Sequence, residues 1–155
     1  MAFYIFKRAQ KINGSIEEIW DFISSPENLK KITPAQMGFN ITSGNLPVKM
    51  YPGMMIGYKV SPFPGIRMNW LTEITHVEYL KFFVDEQRVG PYKIWHHEHH
   101  LIPIKNGVLM QDIICYSPPF GFLGRIANFL FIRRKLEQIF SFRKLKLEEI
   151  FGKYT

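Results

Sequence analysis

Four histidines fall within five residues in the segment Trp95-His96-His97-Glu98-His99-His100. In an extended strand alternate residues share a face, so Trp95, His97, His99 and Leu101 lie on one side and His96, Glu98 and His100 on the other. Asp85 shares a face with Gln87 on the preceding run, and Asp112 shares one with Met110 and Ile114 on the following run. If the three runs pair as a meander, a layer of Asp85, His97 or His99, and Asp112 forms. Three chemistries are open to it. It can be a polar patch on a pocket wall that orients a hydroxyl, carbonyl or carboxylate. It can hold zinc or iron, since His at i and i+2 beside a carboxylate offers suitable donors. It can also be a set of cross-strand pairs on a solvated outer face. No further ligand spacing supports a metal, so neither a metal nor any other cofactor is expected. Asp85, Glu86, His97, His99 and Asp112 are the candidate catalytic groups, because acid–base work on a bound ring needs carboxyl or imidazole groups within hydrogen-bond reach.

The residues around these groups are rich in rings. The chain has 155 residues, with 14 Phe, 7 Tyr and 3 Trp. Large rings suit a thick core or the wall of an apolar pocket. Trp70, Phe83, Trp95, Met110, Tyr116, Phe129, Leu136 and Phe140 are the expected ligand-binding walls, with His97, His99 and Asp112 as polar members. Trp20 and Phe82 are further candidate walls, and ordinary core packing competes for each residue. Met37, Met50, Met54, Met55, Met68 and Met110 add an adaptable apolar surface. The segments Met50-Tyr51-Pro52-Gly53-Met54-Met55 and Ser61-Pro62-Phe63-Pro64-Gly65 are apolar for loops, as is Phe120-Gly121-Phe122-Leu123. Such tips suit a pocket lid or a membrane contact.

Other classes of function find little support. Cys115 is the single cysteine, so no internal disulfide forms, and in Asp-Ile-Ile-Cys-Tyr it reads as a buried small hydrophobe rather than a catalytic thiol. That usage fits a reducing, cytoplasmic compartment. There is no signal-peptide pattern and no run of the ~18 apolar residues that a membrane span needs. The net charge of +7 permits an anionic partner without demanding one. Basic residues interleaved with exposed aromatics in a known module are missing, so no nucleic acid is expected. A transient contact with an anionic membrane surface is retained as a partner, and the oligomeric state is not read from the sequence. There is no Gly-rich phosphate loop, dinucleotide fingerprint or Ser-His-Asp order.

The elements that must position these groups follow from periodicity. Met1 to Ile12 alternates as a strand, and Asn13-Gly14 turns it. Ser15 with Glu18 forms a capping box, and Ile16, Ile19, Trp20 and Ile23 make one helical face that stops before Pro26. A second short helix is expected over Glu27 to Lys31, with Pro26 in its first turn. Six runs follow, at Phe39 to Ser43, Met55 to Val60, Arg67 to Val77, Leu80 to Arg88, Tyr92 to Ile104 and Val108 to Tyr116. With no helix between them they pair antiparallel, and Asn106-Gly107 is the best hairpin turn. A proline-free stretch from about Leu123 to Phe151 then reads as one long helix, kinked or straight, with Gly152 as its stop. Its apolar stripe runs through Ile126, Phe129, Leu130, Ile132, Leu136, Ile139, Phe140, Leu145 and Leu147. Arg133, Arg134, Lys135, Arg143, Lys144 and Lys146 supply its solvated face. The expected fold is α+β within residues 1–155 as a single domain. A curved antiparallel sheet of about six or seven strands wraps a long C-terminal helix, with two short helices after the first strand.

This order of elements resembles the START-like, pollen-allergen-like helix-grip superfamily, also called the SRPBCC or polyketide cyclase–lipid transport group. A bacterial ligand-binding branch is resembled more locally. The residues that carry the likeness are Pro26-Glu27-Asn28-Leu29, Ile32-Thr33-Pro34, Trp70-Leu71-Thr72-Glu73-Ile74-Thr75, Phe83-Val84-Asp85-Glu86-Gln87, Gly90-Pro91-Tyr92, Trp95 to His99, Met110-Gln111-Asp112 and Pro119-Phe120-Gly121. The resemblance implies a helix-grip fold and the binding or carriage of a small hydrophobic molecule between sheet and helix. It also leaves open an enzyme of cyclase, isomerase or hydrolase type, or a membrane- or protein-interaction module, because one fold hosts many functions.

Overall fold

A computed structural model of the chain describes residues 2–63 and 65–155. Met1 and Pro64 lie outside them; of the segment Ser61 to Gly65 expected as an apolar loop, Ser61 to Phe63 instead end a strand.

Strand β1 (Tyr4–Asn13) ends where Gly14 adopts a positive φ of 128°, and α1 (Ile16–Ile23) begins at once. Ser15 accepts a bond from the Glu18 backbone N–H while the Glu18 carboxylate accepts from the Ser15 N–H, so the capping box is complete. Ile19, Trp20 and Ile23 are the buried face of α1. Pro26–Lys30 is a short 3-10 turn, tighter than the expected α-helix, and Ala35–Met37 is a second. A run this short gains little from α-helical propagation.

The strands are β2 (Asn40–Ile41), β3 (Met54–Phe63), β4 (Ile66–Glu78), β5 (Phe82–Val89), β6 (Ile94–Ile104) and β7 (Gly107–Ser117). They form one seven-stranded antiparallel sheet in the order β1-β7-β6-β5-β4-β3-β2. β2 to β7 are therefore a meander, and β1 returns to the outer edge of β7. The sheet curves because β4 carries two irregularities in its pairing with β5, at Leu71/Thr72 and Ile74/His76; extra residues on one strand bend it. The β6–β7 turn falls on Lys105-Asn106, one residue earlier than expected, with Asn106 at φ 61° and Gly107 already paired to Ile104. Gly107 has a separate reason to be glycine: a Cβ there would run into the Ile12 carbonyl of β1.

The C-terminal helix is continuous but not uniform. It consists of α2 (Gly121–Ala127), a π-helical turn over Asn128–Ile132, and α3 (Arg133–Phe151). α3 lies in the concavity of the sheet and buries Leu136, Phe140, Arg143 and Leu147. One core gathers α1, the start of β3 and Leu147, including Ile19, Trp20, Met54, Ile74, Phe83 and Met110. A second gathers Phe6, Ile114, Tyr116, Leu136 and Phe140. The expected stripe holds only for α3. Phe129 is 81% exposed, and Ile126, Leu130 and Leu145 are also exposed. No helix is long and apolar enough to cross a membrane among the described residues.

Candidate functional site

Register brings the chemistry-bearing residues together. Asp85 on β5 pairs with His97 on β6, and His99 on β6 pairs with Asp112 on β7. Period-2 alternation then points all four side chains to the concave face, where His97 and His99 are 5% and 4% exposed. The shortest contacts run diagonally. His99 Nε2 lies 2.8 Å from Asp85 Oδ2, and His97 Nε2 lies 2.9 Å from Asp112 Oδ1. Directly across, His97 Nδ1 is 3.4 Å from Asp85 Oδ2 and His99 Nδ1 is 3.1 Å from Asp112 Oδ1. The latter pair is out of hydrogen-bond line, which leaves His99 Nδ1 without an aligned partner. The two imidazoles lie 3.7 Å apart between centroids, and Phe83 stacks on the far side of His99 at 4.2 Å. Arg143 reaches in from α3, with one guanidinium nitrogen 3.5 Å from Asp112 Oδ1 and its flat face 4.7 Å from the Phe140 ring.

Asp112 is buried and Asp85 mostly so, and carboxylates in such surroundings need charged or hydrogen-bonding partners. Arg143 brings a charge to Asp112, and the two imidazoles bring hydrogen bonds to both aspartates. Burial works against a charge on His99, but Asp112 and Asp85 outweigh it and raise its pKa above the ordinary value. Burial and the neighbouring His99 charge push His97 below it, despite the same two carboxylates. Burial likewise opposes ionisation of both aspartates. The His97 and His99 contacts, with Arg143 helping at Asp85, nevertheless hold each well below the usual carboxylate range. The two imidazoles are thus set apart, with His99 favouring its protonated form more than His97 does. Chemically the cluster offers a proton acceptor beside a proton donor, the split that acid–base catalysis uses.

This cluster forms one end of a cavity of about 170 Å³ between the sheet and α3. Trp70, Phe83, Trp95, Leu136 and Phe140 line it, together with Asp85, His97 and His99. Trp70, Tyr92 and Trp95 form a ring cluster, with Trp70 and Trp95 edge-on at 5.2 Å. A second polar point lies on the β3–β4 wall. There Thr72 Oγ1 accepts the Trp70 indole N–H at 3.0 Å and sits 2.7 Å from the Tyr58 hydroxyl. Burial, with Asp85 nearby, drives the Tyr58 hydroxyl strongly toward its neutral form.

Several expectations need correction. Phe129 is no wall: it lies on the side of the C-terminal helix turned from the sheet. Met110 is fully buried in the core beneath α1 rather than facing the cavity. Asp112 stands behind the histidines and borders a separate cleft between β1 and α3. Tyr116 is a buried end-piece, packed on Tyr4, Tyr92 and Trp95, and donates to the Asn128 side chain at 2.7 Å. Trp20 packs edge-on to Phe83 in the core, while Phe82 stacks on His100 of the outer face. Glu86 is also on the outer face, bound by Arg88 and His96. Cys115 is only half-buried, as an outer-face neighbour of His96 in the register; burial and Glu98 raise its pKa, so it is not an activated thiol. Met37 and Met50 do line the cavity, whereas Met54 is core and Met55 is exposed.

Sequence reasoning missed Arg143, Tyr58, Thr72, Tyr92 and Lys135. For Arg143 a signal existed. Leu136, Phe140, Arg143 and Leu147 are spaced 4, 3 and 4 apart, so the arginine occupies a position of the buried stripe.

The architecture is the helix-grip fold. No family model matches the chain, and no curated protein matches it. Solved structures do resemble it. A major latex-like protein from Panax ginseng superposes with a TM-score of 0.70 at 13% identity, covering 96% of this chain and 97% of that one. A protein from Chromobacterium violaceum gives 0.71 at 10% identity, covering 97% and 99%. A point mutant of Thalictrum norcoclaurine synthase, in complex with a transition-state analogue, gives 0.66 at 14% identity, covering 96% and 97%. At such identities the likeness shows the fold alone.

Proposed function

We propose that this protein binds, and carries, a small and largely apolar molecule whose one polar group rests on Asp85, His97 and His99. The observation behind this reading is an aromatic-walled cavity of about 170 Å³ that ends on a hydrogen-bonded Asp–His cluster. Apolar walls supply affinity and a few fixed polar groups supply orientation. A cavity of ~150 Å³ lined by apolar side chains admits benzene, so a molecule of one or two rings is the expected occupant. Titration with an environment-sensitive apolar fluorophore tests this. Wild type should bind it, and a cavity-filling Leu136→Trp variant should bind it at least tenfold more weakly. Equal binding by the two would overturn the reading. Native mass spectrometry of gently purified protein would then identify any co-purifying molecule.

Two adjacent imidazoles whose pKa values are pushed in opposite directions favour a second reading, in which the same pair moves a proton on the bound molecule. Hydrogen–deuterium exchange into the identified ligand, lost in His97→Gln, is its test.

Carriage also needs a donor surface, and the row preceding α3 provides one. Phe122, Leu123 and Phe129 are exposed, and Phe120 is 80% exposed with a left-handed φ of 63°. A bulky residue held there is strained, and such strain gathers at functional positions. Arg125, Arg133, Arg134 and Lys135 accompany the row, and Ile132, Lys135 and Ile139 border the cavity. Apolar side chains among cations match an anionic membrane surface. The protein should sediment with phosphatidylserine vesicles at low salt, and Phe122→Ser/Phe129→Ser should not. Sedimentation unchanged by that double substitution would sink the membrane contact.

A further inference from the structure

Asp85, His97 and His99 each offer one ligand atom, and the three atoms lie within 4.8 Å of one another. His97 Nδ1 and His99 Nε2 face the same carboxylate oxygen, Asp85 Oδ2, at 3.4 and 2.8 Å. Donors around an ion bound at ~2.0–2.1 Å stand about 3 Å apart, so small shifts of these side chains suffice.

The opposite side of the His97 ring is hydrogen-bonded, and that of the His99 ring faces the same carboxylate out of line. His97 Nε2 is bonded to Asp112 Oδ1 at 2.9 Å, and His99 Nδ1 lies 3.1 Å from that same oxygen. A carboxylate behind ligand histidines fixes their tautomer and aims their lone pairs forward. Asp112 is in that place, and Arg143 behind it fixes Asp112 in turn. The orphaned His99 Nδ1 also fits, because a ring ligated through Nε2 carries its one proton on Nδ1, toward Asp112. All three ligand residues line the cavity, so further coordination positions open into it.

We propose that Asp85, His97 and His99 bind one divalent transition-metal ion of the zinc or ferrous class, with its open positions directed into the cavity. Two imidazoles and one carboxylate are the donor set for such ions. With neutral imidazoles, the ion, Arg143 and the two aspartates sum to one positive charge. An anionic oxygen donor on the bound molecule, such as a carboxylate or enolate, balances it. That last step rests on the ligand-binding reading; the ion site does not. The local spacing gave no support for a metal because the third ligand comes from a different strand.

The test uses untagged protein stripped with a chelator, then titrated with Co2+ by visible absorption and with Zn2+ by calorimetry. One equivalent should bind. Asp112→Asn should weaken binding about 10- to 100-fold, and Asp85→Asn and His99→Gln should abolish it. The outer-face variant His96→Gln should bind as wild type does. No uptake, or uptake that survives His99→Gln, would overturn the assignment. Circular dichroism establishes that each variant is folded. The apolar fluorophore separates the two readings: fluorophore binding without metal uptake overturns the ion site alone, and metal uptake without fluorophore binding overturns the cavity reading alone.

Discussion

β6 carries the same residue types on its two faces and uses them differently. Outside, His96 lies 2.8 Å from Glu86, and His100 lies 2.7 Å from Glu98, with about a third of each imidazole exposed. The hydrogen bond from His100 holds the Glu98 carboxyl below its ordinary value, partial burial opposing it and the His96 hydrogen bond adding to it. Arg88 joins Glu73 and Glu86 there. These are screened, solvated pairs. Inside, His97 and His99 make contacts of the same length with two aspartates, but with only 5% and 4% of each histidine exposed to solvent that could replace a lost partner. The distances barely differ; the dielectric does. Hydrogen-bond length alone therefore says little about what a His–carboxylate pair contributes.

Substitutions can break this comparison, starting with the largest effect. Asp112→Ala leaves the Arg143 charge buried and His97 without its bond, and should cost about 3–5 kcal/mol in chemical denaturation. The paired change Asp112→Leu/Arg143→Met should recover much of that loss, since apolar residues of similar volume replace a buried pair at little cost. Failure to recover would mean that Asp112 does more than balance charge. Thr72→Val strips the half-buried Trp70 indole N–H of its acceptor on the same concave face, and should cost about 1 kcal/mol. On the outer face Glu98→Gln should cost under about 1 kcal/mol. A larger loss, read from the same denaturation curves, would erase the distinction between the faces. Phe129→Ser should leave stability within about 0.5 kcal/mol, because Phe129 is already in solvent.

Much of this arrangement was legible in the chain. The period of 2 in Trp95–Leu101 assigned each histidine to its face, and antiparallel pairing of neighbouring runs implied the Asp85, His97, His99, Asp112 layer. Which face looked inward was not legible, because both faces carry polar residues and alternation alone is symmetric. Arg143 was read as solvated because arginine usually is, although its helical position lay on the buried stripe. Phe129 failed for the converse reason: it continues an apolar pattern, but patterns are counted at 3.6 residues per turn and the helix does not keep that count. Nor could the sequence show that Tyr58, Thr72 and Trp70 meet, since that contact depends on the β3–β4 register.

The π-helical turn at Asn128–Ile132 closes through the Arg133 N–H to the Asn128 carbonyl, and Tyr116 grips the Asn128 side chain from β7. Such a turn holds one residue more than an α turn, an offset of about 100° around the axis. Everything upstream is therefore phased differently from α3 on a single unbroken rod. Deleting one residue from this turn would convert it to ordinary α-helix and leave the residues of α3 in place, yet it would swing Phe122 about a quarter-turn around the axis. Which side of this rod the molecule shows to its surroundings is thus set by chain length, counted from the Tyr116 clasp, as much as by composition.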